Sequence, residues 1–196
     1  MNKRLPAALC GVSAVLLAVS SLAGCGSDDT GKKRDAWAKG VCDQAAAQLK
    51  KIDDASTAIS RVNSGGKPQD VKNADAANFR ATSDAYKSLA AIFAQAGPAP
   101  GGDEGKKFQQ SAVSGLSSLS AQYADLTKQV DALNTSSQAK FAAGLKNVSA
   151  SFARTAGNVT TTLTMLRQGD TGKALAQQPG CQRVSGTAAS PTATSS

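Results

Sequence analysis

Residues 108–133 of the chain read FQQSAVSGLSSLSAQYADLTKQVDAL. Apolar side chains recur in this stretch at alternating steps of three and four residues, which places them along one side of a helix of about seven turns. Residues 141–166 keep the same spacing. The two stretches predict two long amphipathic helices, with core positions Phe108, Ala112, Leu116, Leu119, Tyr123, Leu126, Val130 and Leu133 in the first and Phe141, Leu145, Val148, Phe152, Thr155, Val159, Thr162 and Leu166 in the second.

Two earlier segments, residues 38–62 and 71–96, repeat this period. The core face of the first is thin and rich in alanine, and neither segment contains an internal proline, which would break a helix. Helix-breaking residues separate all four segments, and they fall at 64–68, 97–102 and 134–136.

Short connections between long helices favour antiparallel neighbours. The sequence therefore predicts an all-α fold, an antiparallel four-helix bundle over residues 35–183 that ends with a short helical piece at about residues 170–177. At the start of the fourth helix, Thr135 and Gln138 are candidates for a capping box.

The first 24 residues have the features of a bacterial export signal. A basic start at residues 1–4 is followed by a mostly apolar run at residues 5–23. Small residues precede a cysteine directly after this run, as in a lipobox, where they let a membrane protease reach the bond before a lipid-modified cysteine. The sequence thus predicts a lipoprotein signal peptide over residues 1–24, with the lipobox Leu22, Ala23 and Gly24 before a lipidated Cys25.

Two other interpretations of this region stay open. An apolar run of 19 residues is close to the length of about 20 that spans a bilayer, so the run is also a candidate for an uncleaved anchor. Ordinary secretory cleavage after Ala23 is the second alternative. Cysteine parity disfavours the second, because loss of Cys10 leaves three cysteines, and an exported chain whose Cys25 carries no lipid would keep an odd thiol.

The remaining two cysteines predict a disulfide. Cys42 lies near the start of the first helix, and Cys181 follows the fourth. An up-down-up-down bundle returns the chain to the end at which it began, so that Cys42 and Cys181 can meet. Two free thiols are the alternative, which an oxidising compartment disfavours.

Composition sets the flanks of the domain and limits its chemistry. Residues 25–34 read as a flexible tether carrying the lipid, and residues 184–196, rich in Ser, Thr and Ala, as a disordered tail.

The chain has no histidine, which removes the usual general base and the commonest transition-metal ligand. We therefore expect no enzyme, no catalytic residue, no metal site and no cofactor.

Net charge gives a weak indication of partners. The formal charge is +8, and removal of residues 1–24, which include Lys3 and Arg4, leaves +6. The cations stand singly along the helices and are not interleaved with aromatic residues, so nucleic acid is not an expected partner.

Three segments besides the lipobox carry a resemblance to a known family: residues 35–42 (DAWAKGVC), 84–89 (DAYKSL) and 178–181 (QPGC). Together they resemble small lipoproteins, or small secreted proteins, of actinobacteria. The resemblance covers essentially the whole mature chain. It implies an anchored, exported, α-helical protein, and it implies no particular activity.

These features lead to one functional expectation and one alternative. We expect an extracytoplasmic lipoprotein, held on the outer face of the cell membrane by an N-terminal diacylglyceryl cysteine with palmitate-type chains, that acts as a non-catalytic interaction module for an envelope protein or ligand. The alternative is binding of a small ligand in a cavity of the bundle, or of an anionic polymer on its basic face. Weak core positions where such a cavity would open are Gln48, Asp75, Thr155 and Thr162.

Overall fold

The computed structural model describes residues 25–182, with side chains from residue 29 onward. Five helices account for this part of the chain. They are α1 (Cys25–Ser60), α2 (Pro68–Ala96), α3 (Asp103–Asp131), α4 (Gln138–Leu166) and α5 (Gly169–Gln177). The predicted signal peptide with Leu22, Ala23 and Gly24, and the predicted tail at 184–196, lie outside the described residues.

The predicted fold class is confirmed: the four long helices pack against one another as an antiparallel bundle, and a short fifth helix follows. α2 and α3 form the most extensive pair. α1 packs on α2 and α5, whereas α4 packs extensively on α3 alone among the described helices. The most deeply buried large side chains include Phe141, Leu116, Leu119, Leu126, Val41 and Val130.

The breaks between helices follow local backbone chemistry. Gly97 ends α2 with φ +68°, a left-handed conformation that glycine adopts without steric cost. Gly169, with φ +65°, separates α4 from α5. The predicted breakers at 64–68, 97–102 and 134–136 therefore stand where the long helices end or begin.

Two sequence expectations about helix starts are wrong. Residues 25–34, expected as a flexible tether, are the first turns of α1. Part of the reason is tertiary, because Arg34 is held against the bundle by contacts that no local pattern shows. The N-cap of α4 is Ser137, whose Oγ accepts from the backbone N–H of Lys140 at 3.3 Å, while the Thr135 hydroxyl donates to Gln69 Oε1 at 3.1 Å.

The predicted disulfide is present. The Sγ atoms of Cys42 and Cys181 are 1.95 Å apart and their Cα atoms 5.2 Å apart. Gly180 lies directly against the backbone carbonyl of Cys42, where a Cβ atom would collide, so the close passage of the two chain segments requires glycine. The cross-link joins residues 139 positions apart and ties the C-terminal segment to α1.

Candidate functional site

The N-terminal half of α1 is fastened to one end of the bundle. The Arg34 guanidinium donates to the carbonyl of Pro100 at 3.3 Å and lies 3.4 Å from the carboxylate of Asp170. Its side chain is only 18% exposed. Arg34 lies nine positions after Cys25, the first residue of α1. At 1.5 Å per residue, about 14 Å of the helix therefore extends from this contact toward its N-terminus.

Trp37 closes the same end. Its indole N–H is shared between the carbonyls of Ala96 at 3.3 Å and Gly97 at 3.2 Å, where α2 ends. The Trp37 ring packs edge to face on two phenylalanines. Its centroid lies 6.1 Å from that of Phe93 and 6.3 Å from that of Phe108. The Trp37 side chain therefore covers this end of the bundle.

An aromatic cluster fills the middle of the bundle. The Tyr123 ring lies 5.6 Å from Tyr86, 6.1 Å from Phe79 and 6.5 Å from Phe152, measured between centroids. Burial raises the pKa of Tyr123 to about 12, and burial together with the neighbouring Tyr123 raises the pKa of Tyr86 further. Both phenols are therefore neutral at physiological pH, and their rings pack inside the bundle.

The four weak core positions do not form one site. Asp75 is half-buried, and desolvation raises the pKa of its carboxyl. Gln48 buries Oε1 without a hydrogen-bond partner among the described residues. Thr155 is buried and donates to the carbonyl of Ser151, which satisfies it within α4, and Thr162 packs against Gly115 of α3.

Two depressions in the surface are lined by residues of α1, of α2 and of the loop between them. One, of about 310 Å³, is lined by Lys51, Asp54, Ala55, Ala58, Asn78 and Ala81. The other, of about 500 Å³, surrounds the α1–α2 loop. None of the four weak core positions lines either of these two depressions.

The charges of the bundle are distributed unevenly. α4 carries Lys140, Lys146 and Arg154 and no acidic residue. Its partner helix α3 has acids, but Asp125 pairs with Lys128 at 3.0 Å and Asp131 with Arg80 at 3.5 Å. The cations stand singly along every helix, but a count of charges for each helix singles out α4.

Residues 25–182 contain neither a cluster of side chains that could hold a metal ion nor a helix that could cross a membrane. No group of three or more Asp, Glu or Cys side chains that could hold a metal ion is found in this part of the chain. None of the helices between residues 25 and 182 is both long and apolar enough to cross a bilayer. Comparisons with protein-family models, with curated proteins and with solved structures found no match for this chain.

Proposed function

We propose that the chain is a lipoprotein, anchored through Cys25 to the outer face of a bacterial cytoplasmic membrane, whose helical bundle acts as a non-catalytic interaction module. The observation that carries this proposal is the Cys42–Cys181 disulfide. It uses two of the three cysteines that follow the predicted signal, so only Cys25 is left over. A leftover cysteine directly after a lipobox is the expected site of lipid modification.

The physical consequence of such a modification is firm attachment. A diacylglyceryl group brings two acyl chains, and each buried CH₂ contributes about 0.8 kcal/mol, so two chains hold a protein where one would hold it only marginally. Because Cys25 is the first residue of α1, the lipid would sit at the end of a helix that is itself fixed to the bundle through Arg34. The bundle would then stand at a set height above the membrane.

The non-catalytic part of the proposal rests on residue chemistry. A chain without histidine lacks the usual base for activating a serine or cysteine nucleophile. The two buried tyrosines are held neutral, and neither Asp75 nor Gln48 lines either of the two depressions. An interaction surface on the outside of the bundle is the simplest use of this arrangement.

Membrane fractionation of the Cys25→Ala variant tests the proposal. We expect this variant to leave the membrane fraction, and we expect mass spectrometry of the wild type to find a lipidated N-terminal cysteine. Ser27→Ala, two residues further on, is the matched control and should stay in the membrane. Retention of Cys25→Ala would show that residues 5–23 themselves are the anchor, and recovery of the wild type from the cytosol with its leader intact would contradict the proposed location.

A further inference from the structure

α4 is the only one of the five described helices with an excess of positive charge. α1 has six bases and six acids, α2 three and three, α3 three bases and four acids, and α5 one of each. α4 has three bases and no acid. No acidic residue occurs between Asp131 and Asp170, so the acid-free stretch extends through the whole of α4 and both of its ends.

These three cations are exposed and unneutralised. Lys140, Lys146 and Arg154 are all exposed to solvent. None of them forms an ion pair with any of the acids that the structure describes, whereas cations on each of the other four helices do. The Arg154 guanidinium donates to the hydroxyl of Ser151, within the same helix, at 3.0 Å.

The cations lie on the exposed part of α4, outside its buried stripe. The buried residues of this helix are Phe141, Val148 and Thr155. Lys140 and Arg154 each precede a buried residue by one position, or about 100° around the helix, and Lys146 precedes Val148 by two, or about 200°. We call this exposed side, with Lys140, Lys146 and Arg154, the α4 cationic face; the exposed polar residues on the same side are neutral, among them Asn147, Asn158 and Thr161.

The spacing of the cations favours an extended partner over a compact one. Lys146 lies six positions after Lys140, and Arg154 lies eight positions after Lys146. These spacings correspond to about 9 and 12 Å along the helix axis. A single small anion cannot contact charges that are so far apart. A linear chain with repeated negative groups can contact them one after another, and neutral hydroxyl and amide groups between the cations impose no repulsion on it.

The position of the face disfavours the lipid surface as the partner. Lys72, in the first turns of α2, donates to the carbonyl of Leu133 at 3.2 Å, so the α3–α4 loop lies near the end of α1. Lys140 and Lys146 therefore lie toward the end of the bundle that is remote from Cys25. This step rests on the proposed function, which puts the membrane at Cys25.

We propose that the α4 cationic face is a docking surface for a linear polyanion with repeated phosphate or carboxylate groups outside the membrane. Binding of this kind releases the counterions condensed on the polymer, so its affinity falls as salt concentration rises. The face then gives the interaction module of the proposed function a partner of defined chemistry.

The test measures binding of fluorescently labelled long-chain polyphosphate and polyglutamate to the mature chain in a neutral detergent, by anisotropy at several salt concentrations. The test variant is Lys140→Gln/Lys146→Gln/Arg154→Gln. The matched control, Lys51→Gln/Lys87→Gln/Lys107→Gln, removes the same charge from three exposed positions on α1, α2 and α3. We expect the affinity of the α4 variant to fall about tenfold or more. The slope of the logarithm of its binding constant against the logarithm of salt concentration should become about two to three units less steep, and the control should change little.

Several outcomes would overturn the proposal. Equal weakening by both triple variants would mean that net charge, not the α4 cationic face, is responsible. Absence of wild-type binding to both polymers, or equal affinity for inorganic triphosphate, would reject a linear polyanion. Loss of binding to phosphatidylglycerol vesicles in the α4 variant, with polymer binding intact, would reassign the face to the membrane. Helical circular dichroism checks that both variants are folded, and none of these results depends on lipidation of Cys25.

Discussion

Asp75 lies on the core-facing side of α2, four residues before the buried ring of Phe79. Desolvation raises the pKa of its carboxyl above the ordinary value of 3.8. Folding therefore favours the protonated form, and the favourable contribution is complete below pH 3.8 and is lost as pH rises through the raised pKa. At neutral pH the ionised carboxylate destabilises the fold.

We predict that Asp75→Asn raises the free energy of unfolding at pH 7, because the amide removes a half-buried charge without changing the shape of the side chain. The gain should shrink as pH falls and vanish near pH 3. Urea unfolding of both proteins between pH 3 and 7 measures it. Asp84→Asn, on the exposed side of the same helix, is the control and should change stability by no more than about 0.5 kcal/mol. A gain at pH 7 that persists unchanged at pH 3 would contradict the electrostatic explanation.

Among the long helices, α4 is the least firmly packed. Only Phe141, Val148 and Thr155 are buried in it, against ten residues in α2 and eight in α3. Several of its hydroxyls, those of Thr155, Thr160 and Thr161, donate to backbone carbonyls four residues back, so they bond within α4 and not to a neighbouring helix. Local opening starts where buried apolar contacts are few.

We therefore predict that α4 exchanges its amide hydrogens before α2 and α3, with protection factors about 10- to 100-fold lower. Hydrogen exchange followed by mass spectrometry measures this helix by helix. Phe152→Ala should widen the difference and cost about 2 to 3 kcal/mol, because the Phe152 ring packs on Phe79 at 5.6 Å. Ala153→Ser, at an exposed neighbouring position, should leave the pattern unchanged. Protection of α4 equal to that of α3 would refute the prediction.

The disulfide acts on the whole molecule. It closes a loop between residues 139 positions apart, which encloses nearly all of the bundle. In the chain-entropy model a loop of this length restricts the unfolded chain enough to stabilise the fold by about 5 kcal/mol. The alanine-rich core of α1 makes this contribution important, because small side chains bury little apolar area.

We predict that Cys42→Ser/Cys181→Ser lowers the free energy of unfolding by about 3 to 5 kcal/mol. Denaturant unfolding with and without reducing agent measures the effect, and the reductant should destabilise the wild type but not the double variant. Cys25→Ser is the control and should not change stability, since Cys25 lies outside the cross-link. Equal stability of wild type and double variant would mean that packing of α5 on α1 alone holds the chain ends together.

The sequence by itself determined the helices, their order and the pairing of cysteines. Steps of three and four residues fix which side of a helix is apolar, and glycine and proline mark where helices end, so these features are local and readable. The Cys42–Cys181 pair followed from topology, because an even number of antiparallel helices brings the chain back to its starting end.

Only the tertiary structure decided what each surface faces. The helical start of α1 is tied down through Arg34, whose partners Pro100 and Asp170 are far away in the chain. The half-burial of Asp75, and the burial of Gln48 Oε1 without a partner among the described residues, likewise follow from packing between helices. The cations of α4 are visible in the sequence, but only the structure shows that Asp125 and Asp131 of the neighbouring α3 pair with Lys128 and Arg80. Distances between segments remote in sequence set these features, and no periodicity within one helix records such distances.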